Sequence, residues 1–548
     1  MSSAPLSREQ RRVVLASTLG TMVEWYDFYL YGSLAEILAA QFFSGLGASS
    51  AYTLALLAFA AGFVVRPFGA VLFGRIGDMV GRKYTFLITI MLMGLSTAVV
   101  GVLPNYASIG VAAPLMLVLM RLMQGLAIGG EYAGAVIYVA EHVPAAQRGR
   151  YTAWVQATAT LGLLLSLCSI VSLRALLGAE AWQDWGWRLP FLGSLLLLAV
   201  SMYVRAKLRE SPVFMALRRQ GRTTEHPLRD SLGRWSNLRR MLVALFGLTA
   251  GQAVIWYTGQ FYVAVFLTQH VRLDGTVVNL MLALALLTAL PLFFWVGALS
   301  DRYGRKPFVM LGFALAALTF IPTFEGLVRA ANPALAAAQN RQGVVLYALP
   351  SQCSAQFDIT GAPATFSSCD EAKRLLASYA LSYRTESWPT ERDAQIRVGD
   401  NLVDVEGTRG LAPQDAQRVR ESQGEELRRA LESTGYPTQA DLGRVHWLAL
   451  WGLLTWLVVL VALVYAPLGA LLAELFPTRV RYTSMSLPYH LGNGWFGGVL
   501  TPLAYSVVTL TGNLYSGLIY PVLVAALALL VGLVCLRETP GQDWERGE

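Results

Sequence analysis

"GRIGDMVGRK", residues 74–83, and "GALSDRYGRK", residues 297–306, spell one pattern, G-x-x-x-D-x-x-G-R-K, at an offset of 223 residues. Each is a short charged turn between long apolar runs, in a chain that is 55% hydrophobic and 14% charged. With 548 residues and a mean hydropathy of +0.48, the chain carries far more apolar side chain than one soluble core needs. Apolar stretches near 13–39, 52–73, 84–104, 110–140, 153–177, 187–206, 241–268, 277–299, 307–325, 446–467, 484–510 and 514–536 are mostly long enough to cross about 30 Å of hydrocarbon as helices. The expectation is an all-α membrane protein of twelve transmembrane helices in two pseudo-repeated six-helix halves.

The first apolar run follows a polar stretch with Arg8 and Arg11 and lacks a small-residue cleavage site, so it reads as a retained span rather than a signal peptide. Arg8, Arg11 and Arg12 precede it, and Arg82, Lys83, Arg148, Arg150, Arg305, Lys306, Arg479 and Arg481 fill the even-to-odd loops. Residues 207–240 hold 9 Lys/Arg against 3 Asp/Glu, while loops 41–50 and 105–113 hold no Lys or Arg. The positive-inside rule then puts both termini in the cytoplasm. The pI near 9.3 reflects topology and attraction to anionic lipid, not nucleic-acid binding.

A second motif repeats. "AEHVPAAQRGRY" at 140–151 returns, read as two residues shorter, as "AELFPTRVRY" at 473–482, with Glu141 and Glu474 offset by 333. Two halves carrying both loop motifs in the same order are the signature of a duplicated transporter. The expected units are 1–206 (first half), 207–240 (basic cytoplasmic linker), and 241–325 with 446–548 (second half). Residues 326–445 form a polar insert of 13 Lys/Arg and 15 Asp/Glu on the outer side. "VVLYAL" at 344–349 suggests a strand there, and 367–381 and 413–434 suggest helices. Cys353 and Cys369 fall within the insert, and an oxidising outer face suits a disulfide between them. No spacing suggests a metal site or a bound cofactor.

The doubled loop resembles the signature of the major facilitator superfamily. "EWYDFYLYG" at 24–32, "RLMQGLAIGGEY" at 121–132, "LRESPVF" at 208–214 and "YHLGNGWFGG" at 489–498 are similar to its metabolite:proton symporters, the permeases for shikimate, α-ketoglutarate, citrate and proline/betaine. The resemblance implies alternating access in a bacterial inner membrane. It also implies a latch between the halves built from Gly74, Asp78, Gly81, Arg82, Lys83, Asp301, Gly304, Arg305, Lys306, Glu141, Arg148, Glu474 and Arg479. Glycines permit tight reversals, and Asp78 can accept from N–H groups at a neighbouring helix start.

Ionisable groups near the midplane are costly and point to function. Glu24 and Asp27 share a face of span one with Tyr31 a turn further on, and span four carries Arg121, Gln124 and Glu131. A carboxyl whose proton affinity rises on desolvation and falls beside a cation can couple protons to transport. Asp27 with Arg121 is the expected pair, with Glu24 and Glu131 as further carriers. Tyr31 in span one, Gln124 in span four, Gln252, Trp256, Tyr257 and Gln260 in span seven, and Tyr489, His490 and Asn493 in span eleven, are candidates to line the substrate cavity. The function read from these residues is proton-coupled import of a small polar metabolite, an organic anion or zwitterion, by a monomer whose partners are substrate, protons and lipid. A proton-driven exporter and a non-transporting receptor with an outer ligand-binding domain are the competing readings. No nucleophile-plus-base constellation or phosphate loop points to an enzyme.

Overall fold

The computed structural model describes residues 6–44, 48–341, 343–349, 351, 353, 366–379, 381–387, 392–437 and 439–538. The first half contributes α1 (Arg8–Ser33), α2 (Ala48–Met79), α3 (Arg82–Val102), α4 (Ala112–His142), α5 (Arg148–Leu177) and α6 (Arg188–Ala206). The second contributes α7 (Trp235–His270), α8 (Gly275–Tyr303), α9 (Lys306–Ala331), α10 (Trp447–Leu475), α11 and α12 (Ser516–Cys535). α11 runs from Arg481–Leu491 through a wide π-helical stretch, Gly492–Gly497, into Leu500–Thr511. Among the described residues, nine helices are long and apolar enough to cross a membrane; α1, α2 and α11 complete the twelve.

Local chemistry sets the ends. α1 starts at a capping box in which Ser7 and Gln10 bond each other's backbone N–H. The first apolar run is not one continuous helix as expected: it breaks at Leu34 after Gly32-Ser33, both weak helix formers, and resumes as Ala35–Phe42. α9 continues to Ala331, beyond the expected end at 325, because Leu327, Arg329, Ala330 and Ala331 are good helix formers and outweigh Gly326 up to Asn332.

The halves pack alike. α1 lies on α5, α2 on α4 and α3 on α6, matched by α8 on α10 and α9 on α12; between halves α2 meets α11 and α5 meets α8. Asp78 and Gln10 end up near one end of the bundle with the residues after α6, since Gln10 bonds the His142 carbonyl at 2.9 Å and Glu9 meets Arg209 at 3.7 Å.

The insert occupies the opposite end and is a small α+β unit. Strands β1 (Val344–Ala348), β2 (Tyr383–Ser387), β3 (Ala394–Val398) and β4 (Asn401–Val405) form a sheet in the order β2-β1-β3-β4, parallel only between β1 and β2. Helix Ser368–Ser378 connects the parallel pair, and the two-residue β3–β4 turn uses Gly399 at φ 62°. Helix Pro413–Ser433 packs on β4. A Cys353–Cys369 disulfide, Cα atoms 5.2 Å apart, joins the segment after β1 to the start of the connecting helix. The unit is seated on the second half: Tyr383 N–H donates to the Gly512 carbonyl (2.8 Å) and Ala440 N–H to the Arg272 carbonyl (3.0 Å).

Candidate functional site

At the end holding the repeated loops, the halves are latched twice, in the same way. The backbone N–H groups of Tyr482 and Thr483, at the start of α11, donate to Asp78 Oδ1 and Oδ2 at 3.2 and 2.9 Å. Those of Gly149 and Arg150, at the start of α5, donate to Asp301 Oδ1 and Oδ2 at 2.7 and 2.8 Å. Each carboxylate thus caps a helix N-terminus of the other half, where free N–H groups and the helix dipole favour an anion. The glycines explain the approach: a Cβ on Gly74 would lie 2.9 Å from Thr483 Cα, and one on Gly297 would lie 2.8 Å from the Gly149 carbonyl. Gly81 and Gly304 turn the chain at φ 138° and 92°, in the region glycine favours.

Buried ion pairs surround both caps. Glu141 receives Arg481 at 3.0 Å and Arg82 at 3.7 Å; Glu474 receives Arg305 at 2.7 Å and Arg148 at 3.3 Å. Arg82 also lies 3.5 Å from Asp78, and Arg305 3.2 Å from Asp301. Lys83 Nζ donates to the Ala206 carbonyl at the end of α6, and Lys306 Nζ to the Leu533 and Leu536 carbonyls at the end of α12. One expected member is replaced. Arg479 lies outside the latch ion pairs, beside the linker, and Arg481 does the work, because the second loop motif aligns without a gap: Pro144 matches Pro477 and Arg148 matches Arg481. In that linker, a hydrogen bond from Thr224 (2.7 Å) with Arg479 and Arg234 nearby holds the Asp230 carboxyl below the usual carboxylate range.

A further pair of anchors escaped the sequence reading. Glu210 accepts from Lys83 N–H at 3.1 Å, and Glu538 accepts from Lys306 N–H at 3.2 Å. They lie in "LRESP" and "LRETP", a third repeat at 208–212 and 536–540 that a search for internal similarity would have found.

Above the latch, Asp27 and Arg121 do not form the expected ion pair; no Asp27–Arg121 bridge occurs among the described residues. Arg121 lies 3.6 Å from the Tyr31 ring centroid and bonds Gln124, whose amide donates to Thr97 Oγ1 at 2.9 Å. Thr97 is the polar neighbour of Asp27, but its hydroxyl proton goes to the Met93 carbonyl (3.0 Å) and neither Asp27 oxygen has a hydrogen-bond partner among the described residues. The polar chain from Arg121 through Gln124 ends at Thr97, next to Asp27 but not hydrogen-bonded to it.

The partner of the other two carboxylates is Arg205. It reaches Glu131 at 2.9 Å and Glu24 at 3.6 Å. The sequence reading did not single out this arginine, because a basic residue in the last turn of a span gives no direction to its side chain.

The centre of the interface is aromatic. Trp25 meets Trp256 (5.6 Å between centroids), Tyr29 stacks on Phe261 (6.1 Å) and Phe63 meets Tyr257 (5.8 Å), each contact joining the two halves. Tyr132 stacks on Tyr489 at 3.6 Å, and Tyr489 shares a hydroxyl contact with Tyr465 at 2.9 Å. Arg66 of α2, overlooked in the sequence, lies in this wall 3% exposed, 4.2 Å from the Phe63 centroid and 4.8 Å from that of Phe28. Its guanidinium reaches the Tyr257 hydroxyl, but Nε and Nη2 have no hydrogen-bond partner among the described residues. Gln260 and His490 are buried with both polar side-chain atoms likewise unpartnered, while Asn493 donates to Gln252 at 3.2 Å. π-helical turns at Thr258–Tyr262 and Gly492–Gly497 re-aim this part of α7 and α11.

Residues 13–234 match the family model described as sugar (and other) transporter. The chain is 35% identical over 331 residues to an inner membrane metabolite transport protein of Escherichia coli, covering 60% of this chain and 74% of that one. The chain belongs to the major facilitator superfamily. It is 34% identical to the glycine betaine/proline/ectoine/pipecolic acid transporter of Dickeya dadantii over 326 residues and to a proline/betaine transporter of Salmonella typhimurium over 328; these matches cover 57% of this chain and 64% of each relative. A solved proton:xylose symporter of the superfamily superposes with a TM-score of 0.62 over 98% of both chains, at 17% identity, which speaks to the fold alone. The relatives named here are transporters, and the chain spans less than two thirds of the length of the betaine and proline transporters it matches.

Proposed function

We propose that the protein is a proton-coupled symporter importing a small zwitterion with a carboxylate and a substituted ammonium group. The observation that carries this reading is Arg66: a buried guanidinium with free donors, set among aromatic rings contributed by both halves. Its N–H groups match a carboxylate, and the faces of Trp25, Tyr29 and Trp256 nearby suit an alkylated cation. The names of the betaine and proline transporters similar to this chain agree with that chemistry. Asp27, buried beside the Arg121–Gln124–Thr97 chain, is the proposed inner proton carrier, and Gln260, His490 and Asn493 are proposed to line the substrate site. The positive-inside pattern supports cytoplasmic termini and the insert, 326–445, outside.

Glycine betaine should raise the melting temperature of the purified protein, while choline, which lacks the carboxylate, should not, and Arg66→Gln should abolish the difference. Equal stabilisation by choline would remove Arg66 from recognition. In liposomes, Asp27→Asn should retain betaine counterflow and lose accumulation driven by a pH gradient.

A further inference from the structure

Arg205 belongs neither to the latch nor to the aromatic cluster around Arg66, yet it is only 1% exposed. It sits one residue from the end of α6, where a basic side chain ordinarily reaches for water and lipid headgroups. Here it turns inward beside Gly20, where a Cβ would overlap the guanidinium. Glu131 on α4, Glu24 on α1 and the Phe86 ring of α3, with its centroid 3.5 Å from Arg205 Cζ, close around it.

Two carboxylates and one guanidinium leave one excess negative charge in a buried site unless a carboxyl carries a proton. The hydrogen bonding accommodates that proton. Thr89 Oγ1 lies 2.6 Å from Glu131 Oε2 and 3.2 Å from the Phe86 carbonyl, and a hydroxyl has one proton for two such neighbours. The carbonyl can only accept, so a protonated Glu131 donating to Thr89, with Thr89 donating onward to Phe86, satisfies all three groups. The carboxyls of Glu24 and Glu131 are close enough to interact directly. The other groups facing the pair are Asp27, one turn along α1, and Tyr482 of α11, with Asp78 and Arg82, the first residue of α3, beyond it; nearer the pair α3 contributes the uncharged Phe86 and Thr89.

We propose that Glu24 and Glu131, with Arg205 between them, share one proton and form a second proton site on the latch side of Asp27, from which the coupled proton leaves. This rests on the proton-coupled reading above. Tyr482 supplies the control. Its N–H belongs to the Asp78 cap and its hydroxyl donates to the Gly130 carbonyl at 2.6 Å, next to Glu131. When α11 swings away, the group covering Glu131 leaves with it and water reaches the pair. The carboxyl O–H bond then breaks, its proton passes to that water, and Arg205 stays to compensate one of the two carboxylates.

The test is infrared difference spectroscopy of the full chain in lipid nanodiscs during a pH titration. The expected result is a buried carboxylic C=O band that disappears in both Glu24→Gln and Glu131→Gln, because the proton is shared, and shifts in Thr89→Val. A band that survives both substitutions and vanishes in Asp27→Asn overturns the proposal. Should either glutamine variant fail to give monodisperse protein, Thr89→Val decides alone, and an unshifted band overturns it. Betaine-driven proton uptake into liposomes, read with a pH dye, runs in parallel. A titrating pair in a protein that moves no proton with betaine supports the shared site and counts against the coupled function instead.

Discussion

Asp78→Asn is the cleanest single perturbation of the latch. The carboxylate accepts two backbone N–H groups of the opposite half, and both bonds exist only while that end is closed. Asparagine keeps the shape but offers one acceptor oxygen, and its amide nitrogen faces the second N–H without bonding it. The loss is about one hydrogen bond to a charged group, ~1.5–3 kcal/mol. Because nothing equivalent is lost from the open state, this appears in full in the open-to-closed ratio, as an increase of roughly ten- to a hundredfold. The reporter is Ser300→Cys in a background with Cys168→Ser and Cys535→Ser. Ser300 is 1% exposed, behind Gly149 and beside the second cap, so it reads opening of the whole end rather than the mutated site. Labelling by a hydrophilic maleimide from the latch side should accelerate by that factor, and adding Asp301→Asn should multiply the effect, since the two caps share no partner. An unchanged labelling rate in Asp78→Asn would refute the cap as a determinant of the closed state.

The remaining expectations follow from the same geometry. Arg481→Gln leaves Glu141 without its closest cation and should cost about 3–5 kcal/mol in the closed state, seen as a large fall in thermal stability, whereas Arg479→Gln should be close to neutral; equal effects would restore Arg479 to the latch. Gly20→Ala should push Arg205 aside and remove gradient-driven betaine accumulation while leaving counterflow, and normal accumulation would contradict the packing described. Reduction of Cys353–Cys369 should weaken the insert by about 3 kcal/mol, measured as a lower unfolding temperature of that unit alone, and a membrane-impermeant maleimide should label intact cells only after reduction. Replacing 332–445 by a short linker should leave betaine uptake measurable, since the described backbone bonds of the insert are to turns of the second half at the end opposite the latch; complete loss in a correctly inserted variant would make it obligatory.

Much of this protein is written locally. Twelve apolar runs, two copies of G-x-x-x-D-x-x-G-R-K and a polar interruption dictate a duplicated helical membrane fold, because in hydrocarbon the backbone must satisfy itself and only helices of that length can do so within one segment. The role of Asp78 was legible too, since a charged turn with glycines has one good use beside another helix start. The sequence could not say which cation meets which carboxylate. Arg66 and Arg205 sit within or at the edge of apolar runs, where an arginine turned towards lipid headgroups and one turned inward look the same. Tertiary packing decides between them: Gly20 opens a space for Arg205, the aromatic wall encloses Arg66, and Asp27 is left facing Thr97 instead of Arg121. Partners separated by hundreds of positions, such as Asp78 and the Tyr482 N–H, 404 apart, become neighbours only when the two halves close, and that closure depends on the shape of both surfaces together.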